Sequence, residues 1–208
     1  MAIFSNFGSA YVLRINDVPA STGYGEPVQK LFNFRDGERV VGALSVSEKD
    51  APKGTLAVAV SKNGFGLRFG FDAHRELSTR AGRRFAKPAE GDELVGVALA
   101  GDKDVLCVVT SDARALLCKA GEIPELANPG RGVTVIKSSG AGVVGFGVGG
   151  PKDKDVIIAE TDDGKELPVG PGRFSVTGRG GKGHALKRKT KIVRVTTPLP
   201  APPPALLN

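Results

Sequence analysis

Leu56-Ala-Val-Ala-Val-Ser-Lys-Asn-Gly-Phe-Gly-Leu-Arg-Phe69 is the stretch that decides the fold, because hairpin-like segments of this kind occur four times along the chain. Apolar residues on both sides of Asn63-Gly64 predict two antiparallel strands, and Asn-Gly supplies the positive φ angles that a two-residue hairpin turn requires. The other three segments are Ile3 to Arg14 around Phe7-Gly8, Val105 to Cys118 around Asp112-Ala113, and Val156 to Val169 around Asp163-Gly164.

Two further landmarks follow each hairpin, always in the same order. The first is a glycine-rich and often basic segment, and the second is an apolar closing strand. The glycine-rich segments are Thr22-Gly-Tyr-Gly25, Arg80-Ala-Gly-Arg83, Pro129-Gly-Arg-Gly132 and Gly178-Arg-Gly-Gly-Lys-Gly183. The closing strands are Val40-Val-Gly-Ala-Leu44, Leu94-Val-Gly-Val-Ala-Leu99, Val143-Val-Gly-Phe-Gly-Val148 and Ile192-Val-Arg-Val195, which align Gly42, Gly96, Gly145 and Arg194.

This repeated order predicts an all-β, propeller-like protein of about four blades, each of roughly 50 residues and four strands. We expect one domain over residues 1–197, with blades at about 1–50, 54–102, 103–150 and 154–197. Helices have little room, and the best candidate, Asp72 to Leu77, is long enough only for a helical turn. Residues 198–208 are rich in proline, which favours polyproline II and predicts a tail outside the sheets.

The net charge of +7 is concentrated in one part of the chain. Arg173 to Arg194 contains eight basic residues and no acid, which leaves 21 basic against 22 acidic side chains elsewhere. A second acid-free cluster consists of Arg80, Arg83, Arg84 and Lys87. Such concentrated positive charge is typical of a protein that binds a polyanion, although a solvated basic face would look the same.

Membrane and secreted classes are disfavoured by the pattern of apolar residues. No apolar run approaches the roughly 18 residues that a membrane-spanning helix needs. Met1 to Ala10 shows neither the basic leader nor the apolar stretch of a signal peptide. We therefore expect a cytoplasmic protein without a membrane partner.

The repeats resemble the β-pinwheel that forms the C-terminal domain of the A subunit of bacterial type IIA topoisomerases, namely gyrase and topoisomerase IV. The resemblance covers about residues 1–197 and is carried by Ser5-Asn-Phe-Gly-Ser-Ala-Tyr-Val-Leu-Arg14, Gly130-Arg-Gly-Val133 and the closing strands. Gly178-Arg-Gly-Gly-Lys-Gly183 resembles the box with which gyrases wrap DNA. Gyrases usually place that box in the first of six blades, and Gly178 stands where the family has Gln or a basic residue. Both the gyrase and the topoisomerase IV type therefore stay open.

The resemblance implies that the chain binds, bends and wraps duplex DNA in support of ATP-dependent supercoiling, relaxation or decatenation by a holoenzyme. The implied partners are double-stranded DNA, the DNA-breakage domain of the gyrase-type A protein, and the ATP-hydrolysing B protein, in the cytoplasm with the nucleoid. The catalytic domains would lie elsewhere, because the family's nucleophilic tyrosine beside an arginine has no counterpart here. Tyr11 and Tyr24 are expected to pack or to cap a turn, and no catalytic residue, cofactor or metal is expected.

A DNA-wrapping surface needs long cationic side chains, together with glycines that let backbone amides approach phosphates. The fourth repeat is expected to be the principal anchor, with Arg179, Gly180, Gly181, Lys182, Gly183, Lys187, Arg188, Lys189 and Lys191. The other repeats would continue the track with Arg80, Arg83, Arg84 and Lys87, then Arg131 and Lys137, then Arg14 and Lys30. Few aromatic residues interleave with these charges, which favours duplex backbone contact over stacking on single strands.

Three other functions compete with DNA wrapping. The main alternative is a propeller-like protein-interaction scaffold without catalytic activity, which would not need its excess charge beside one glycine-rich loop. An RNA-binding module is less favoured because the chain has a single Arg-Gly-Gly triplet. A nucleotide-binding loop is excluded, since Gly178 to Gly183 lacks both the strand-to-helix context and a Gly-Lys followed by Ser or Thr.

The cysteines and histidines give two further expectations. Cys107 and Cys118 flank Asp112-Ala113 symmetrically, so a two-residue turn would place them directly opposite each other on one face. In a reducing compartment we expect two packed thiols rather than a disulfide. His74 and His184 stand at no metal-ligand or triad spacing, and we expect both at the surface or facing DNA.

Overall fold

A computed structural model describes residues 1–20, 22–23 and 25–198 and confirms the all-β class. The strands are β1 (Ala2–Ser5), β2 (Ser9–Val12), β3 (Val40–Leu44), β4 (Leu56–Ser61), β5 (Phe65–Gly70), β6 (Arg83–Arg84), β7 (Leu94–Leu99), β8 (Val105–Thr110), β9 (Arg114–Lys119), β10 (Val133–Thr134), β11 (Val143–Gly149), β12 (Ile157–Thr161), β13 (Glu166–Val169), β14 (His184–Ala185) and β15 (Ile192–Thr196). Single 3-10 turns occur at Ile15–Asp17, Val28–Lys30, Phe71–His74 and Ala120–Glu122. Tyr24 and residues 199–208 of the expected tail lie outside the described residues.

The strands form four antiparallel sheets, and in three of them the outer strand comes from the following repeat. The sheet orders are β3-β1-β2-β6, β10-β5-β4-β7, β11-β8-β9-β14 and β13-β12-β15. The borrowed strands β6, β10 and β14 belong to the glycine-rich segments. We call these segments the second arm (78–87), third arm (124–137) and fourth arm (177–191), and we call 25–34 the first arm. Three of the blades are thus assembled from two repeats each.

The fourth sheet has three strands, where the sequence predicts four. The fourth arm is already used in the third sheet, so the described chain holds no further arm for β13. The edge of β13 is also poorly suited to receive one. Val12 and Arg68 donate their N–H groups to the second and third arms, and the aligned residue in β13 is Pro168, which has no N–H.

All four hairpins turn through three residues, which corrects the prediction of two-residue turns. The strands of the first hairpin end at Ser5 and begin again at Ser9, and in the third hairpin Thr110 pairs with Arg114. The last residue of each loop has a positive φ, as three-residue hairpin loops require: Gly8, Gly64, Ala113 and Gly164. A buried hydroxyl stands before each loop, at Ser5, Ser61, Thr110 and Thr161, and bonds to the turn.

The extra turn residue changes the position of the two cysteines. Cys107 pairs with Leu117 and Cys118 pairs with Leu106, so the two thiols point to opposite faces of the third sheet. The expected direct opposition is therefore wrong, because a shift of one residue moves a side chain to the other face. Both cysteines are free and fully buried, as expected of packed thiols, and burial raises the pKa of each thiol to about 12.

The sheets pack face to face through three apolar clusters. Phe4 of the first sheet meets Phe69 of the second, Val60 of the second packs with Leu116 of the third, and Leu117 of the third packs with Ile157 of the fourth. On the other face of the first sheet, Tyr11 packs against Phe32 and Phe34, with ring centroids 4.9 and 4.8 Å apart. Tyr11 therefore packs, as expected.

The closing strands pack in sequence order, β3 against β7, β7 against β11, and β11 against β15. Their aligned glycines make this possible, because a Cβ at Gly145 would lie 2.7 Å from the Val195 Cβ and one at Gly96 would lie 3.1 Å from the Phe146 ring. The aligned residue of the last strand is Arg194, which is free to be large and forms an ion pair with Glu160. Since the closing strand and the borrowed strand occupy opposite edges of a sheet, the arms lie on the outer perimeter.

His74 is buried, which corrects the expectation of a surface histidine. Its ring lies among Phe4, Phe69 and Phe85, and 5 % of the residue is exposed. The Nδ1 atom has no hydrogen-bond partner among the described residues. Burial lowers the pKa of His74 to about 4, and the charge of Arg83 acts in the same direction. No helix in the described ranges is both long and apolar enough to cross a membrane.

We predict that His74 makes the fold sensitive to mild acid. The unfolded state gains a proton near pH 6.5 while the folded state holds His74 neutral down to about pH 4, so the free energy of unfolding falls through this window by about 3 kcal/mol. Urea unfolding at pH 7 and pH 4 measures the loss. His74→Phe keeps the aromatic cluster and should lose less stability between the two pH values. Equal losses in the two proteins would refute the role of His74.

Candidate nucleic-acid interface

Each borrowed arm is seated by a glycine that directly precedes its short strand. Gly82, Gly132 and Gly183 all have positive φ angles, and the backbone of the preceding blade lies against each of them. A Cβ at Gly82 would lie 2.8 Å from the Ala10 carbonyl oxygen, and one at Gly183 would overlap the Ala115 carbonyl. Only glycine fits both constraints. The glycines of this motif thus let the arms lie flat on the blades.

The arms are joined to one another in sequence order around the perimeter. The Asn33 N–H of the first arm donates to the Arg80 carbonyl of the second at 2.8 Å. The Lys87 N–H donates to the Gly130 carbonyl of the third arm at 2.9 Å, and the Lys137 N–H donates to the Gly181 carbonyl of the fourth at 2.8 Å. The backbones of four arms are therefore joined in sequence order. We call the cations that these arms carry the basic row: Lys30, Arg80, Arg83, Arg84, Lys87, Arg131, Lys137, Arg179 and Lys182.

The candidate cations are exposed, apart from the half-buried Lys187, and nearly all lack a charge partner. Of the fourteen, Lys30 pairs with Glu26 and Lys187 with Asp163, and the other twelve have no carboxylate within 4.0 Å in the described part of the chain. Among the fifteen remaining basic residues, nine form such pairs. Most basic side chains outside the candidate set are thus neutralised by ion pairs, whereas most of the candidate cations are not.

The acid-free segment from Arg173 to Arg194 forms more contacts within the protein than its sequence suggests. Arg173 pairs with Asp155 and Arg194 with Glu160, acids of the same blade that lie outside the acid-free segment. The Arg179 guanidinium donates to the carbonyls of Glu122 and Thr134, at 3.1 and 3.3 Å. Lys182, Arg188, Lys189 and Lys191 have exposed side chains without an acidic partner among the described residues.

The glycines of the fourth arm form contacts within the protein. Gly180 has φ +81° and donates its N–H to the Val135 carbonyl at 2.6 Å, so that amide is already used inside the protein. Gly181 forms a bridge with Ile136 of the third arm. These contacts join the fourth arm to the third, and the positive φ of Gly180 favours glycine at that position.

The third and first arms place their cations differently. Arg131 lies over the Phe65 ring with its guanidinium carbon 4.4 Å from the centroid, while Lys137 is exposed beside the fourth arm. Lys30 meets the second arm through its carbonyl, which accepts from Arg80 Nη2 at 3.2 Å. Arg14 follows β2 at the end away from the hairpin loop and belongs to none of the arms.

Two side chains make contacts at the fourth arm that were not predicted from the sequence. Arg114 donates to the carbonyls of Lys182 and Gly183, both at 2.6 Å. His184 is half-buried, with Nε2 2.9 Å from the Ser175 carbonyl oxygen and its ring 5.7 Å from that of Phe174. A signal for Arg114 did exist, because the aligned residues in the other hairpins are Ser9, Phe65 and Lys165 and only this repeat has an arginine there.

Comparison with known proteins identifies sequences similar to this one. The family described as "DNA gyrase C-terminal domain, beta-propeller" matches residues 1–47, 57–100 and 104–143. The chain is 29 % identical over 183 residues to the DNA gyrase A protein of Aminobacterium colombiense, covering 87 % of this chain and 22 % of that protein. It is 25 % identical over 183 residues to the DNA gyrase A protein of Escherichia coli, covering 86 % and 20 %. The chain thus spans about a fifth of the length of these relatives.

Solved structures show the same fold. The C-terminal domain of a DNA topoisomerase IV superposes with a TM-score of 0.81 at 16 % identity, over 95 % of this chain and 63 % of that one. The Escherichia coli ParC C-terminal domain gives 0.71 at 19 % identity, over 96 % and 81 %. A DNA gyrase A C-terminal domain gives 0.59 at 18 % identity, over 94 % and 81 %. These likenesses support the pinwheel architecture read from the repeats.

Proposed function

Because this chain belongs to the family of DNA gyrase C-terminal β-propeller domains, we propose that it binds duplex DNA along the basic row and bends it around the outside of the blades. The observation that supports the proposal is the joining of the arms: backbone hydrogen bonds link consecutive arms, and each arm carries candidate cations. A path of this shape matches a bent duplex, whose phosphates are a continuous row of negative charge.

The unbalanced charge supports the same proposal. Twelve of the fourteen candidate cations lack an ion-pair partner among the described residues, so a polyanion could approach them without first breaking an ion pair. The outlying Arg14 and the group Lys187, Arg188, Lys189 and Lys191 would contact DNA at the two ends of the path. The glycines Gly180, Gly181 and Gly183 act in this proposal by shaping the loop that presents Lys182.

The proteins to which this chain is similar are about four times as long as the chain itself. We propose that the chain serves as the C-terminal domain of the A protein of a type IIA topoisomerase, where a DNA-breakage domain and an ATP-hydrolysing B protein supply the catalysis. In the cytoplasm it would hold DNA of the nucleoid for supercoiling, relaxation or decatenation. The relatives are gyrases and the best-superposing of the three structures described is a topoisomerase IV domain, so the proposal covers both types.

We predict that the wild-type chain binds duplex DNA strongly in low salt and with little dependence on sequence. With about 5 to 8 phosphates engaged, the slope of log K against log salt should be about −4 to −7. Fluorescence anisotropy with two unrelated duplexes over a range of salt concentrations measures the slope. A single-stranded DNA and a double-stranded RNA of equal length are the matched ligands.

A slope near zero would contradict the proposal. So would preferred binding of the single strand, since the row carries few aromatic side chains for base stacking. Protein capture that persists after nuclease treatment, combined with a flat salt dependence, would instead support the protein-interaction scaffold.

A further inference from the structure

The fourth arm is anchored to its blade differently from the second and third. Immediately after their borrowed strands, the second and third arms bury two apolar residues each, at Phe85 and Ala86 and at Val135 and Ile136. The aligned residues of the fourth arm are Leu186 and Lys187, which are only half-buried. Less apolar surface therefore holds this arm in place, and other contacts must compensate.

Two arginines supply those contacts from opposite sides of the loop. Arg179 reaches from the arm to the carbonyls of Glu122 and Thr134. Arg114 reaches from β9 to the arm, where its Nε and Nη2 donate to the carbonyls of Lys182 and Gly183. Neither guanidinium has a carboxylate partner among the described residues, so their donors are available for backbone carbonyls. The planar fork of arginine suits two such acceptors at once, and lysine cannot reproduce it.

The same place in the second blade is built in another way. Phe65 is aligned with Arg114, and Arg131 of the third arm is aligned with Lys182. There the aromatic ring holds the cationic side chain itself, with Arg131 over Phe65 at 4.4 Å. In the third blade Arg114 donates a hydrogen bond to the main-chain carbonyl of Lys182. The ammonium group of Lys182 is exposed and has no ion pair in the described chain.

We propose that Arg114 is a positioning residue that fixes the loop 178–183 and directs Lys182 outward, towards a DNA phosphate. This inference rests on the proposed function for its DNA part, whereas the holding of the loop does not. Arg114 contacts no DNA in this account. Its effect passes through the backbone of Lys182 and Gly183.

The test uses the 208-residue chain and compares Arg114→Lys, which keeps the charge, with Lys119→Gln, which removes a charge from the far end of the same strand. Hydrogen exchange is followed at the amides of Gly180 and Leu186, which bond to Val135 and Ala113. Loss of the forked contact should speed exchange of both amides about tenfold. The Ile192 amide, bonded to Ser111 outside the arm, is the internal control and should not change.

Duplex affinity is measured on the same proteins. Arg114→Lys should weaken binding about threefold to tenfold in spite of its retained charge, and Lys119→Gln should have a smaller effect. Unchanged exchange of Gly180 and Leu186 in Arg114→Lys would overturn the inference. Faster exchange with unaltered affinity would overturn the DNA part of it.

If the proposed function is wrong, the wild-type chain itself will not bind duplex DNA, which distinguishes that outcome from a failure of the inference about Arg114. The exchange measurement would still decide whether Arg114 holds the loop. Arg179→Lys gives a second, independent variant, since it removes the fork on the other side of the same loop. If it speeds exchange at Gly180 while Arg114→Lys does not, Arg179 alone holds the arm and the inference is wrong.

Discussion

Replacing Arg80, Arg83, Arg84 and Lys87 together by glutamine is expected to weaken duplex binding about a thousandfold at 0.1 M salt. These four cations form the middle of the basic row, and none has an ion-pair partner among the described residues. If each contacts one phosphate, the slope of log K against log salt should become less steep by about 3 to 4. Fluorescence anisotropy at several salt concentrations measures both quantities.

The matched control removes the same charge from a different place. Lys49, Lys103, Lys152 and Lys154 are exposed, lack an ion pair in the described chain, and lie on the loops that lead from one repeat into the next hairpin. Their fourfold glutamine variant should keep nearly the wild-type slope. If the two variants lose affinity equally, net charge rather than the basic row governs binding, and the placement of the site is wrong.

Gly132→Ala and Gly183→Ala are expected to be the most damaging single substitutions on the arms. Each position has a positive φ, and each Cβ would overlap a carbonyl of the preceding blade, Gly66 or Ala115 respectively. Backbone strain and overlap together should lower the free energy of unfolding by about 3 kcal/mol or more. Urea unfolding measures the loss. Gly183→Ala should also weaken DNA binding without any change of charge, because the arm that carries Lys182 no longer lies on the blade.

Gly25→Ala is the control for these two variants. Gly25 belongs to the glycine-rich segment of the first repeat and has φ +76°, but nothing in the described structure lies within 4 Å of its Cβ position. Only the strain of the left-handed conformation remains, which should cost about 1 kcal/mol. Equal losses at Gly25 and Gly183 would show that arm docking contributes nothing beyond local strain.

The repeats were readable from the sequence because they repeat local chemistry. Apolar alternation, a turn with glycine or its substitute, and the closing-strand glycines recur in register, so the four hairpins and their closing strands could be predicted. The missing fourth strand of the last sheet could not. The sequence did not show that each arm adds its strand to the sheet of the preceding repeat. Arg83-Arg84 has the same spacing from the hairpin before it whether it pairs with its own blade or the previous one, and only the packing of Gly82 on Ala10 decides between them.

The remaining corrections have equally local causes. One extra residue in the loop before Arg114 moved Cys107 and Cys118 to opposite faces, and no pattern of apolar residues distinguishes a two-residue from a three-residue turn there. The charges of Arg173 and Arg194 looked free because their acids, Asp155 and Glu160, come from other strands of the blade. Pairing across strands depends on register, which a window of sequence does not contain.

The most direct test of DNA bending is the topology of a nicked plasmid religated in the presence of the chain. If duplex DNA follows the basic row around the blades, the closed products should show a topoisomer distribution that shifts progressively with the ratio of protein to DNA. With the fourfold glutamine variant of the second arm, the topoisomer distribution should be the same as in the absence of protein. Tight, salt-dependent binding of the wild-type chain with no shift at any ratio would show that it holds DNA without bending it around the blades, which contradicts the account.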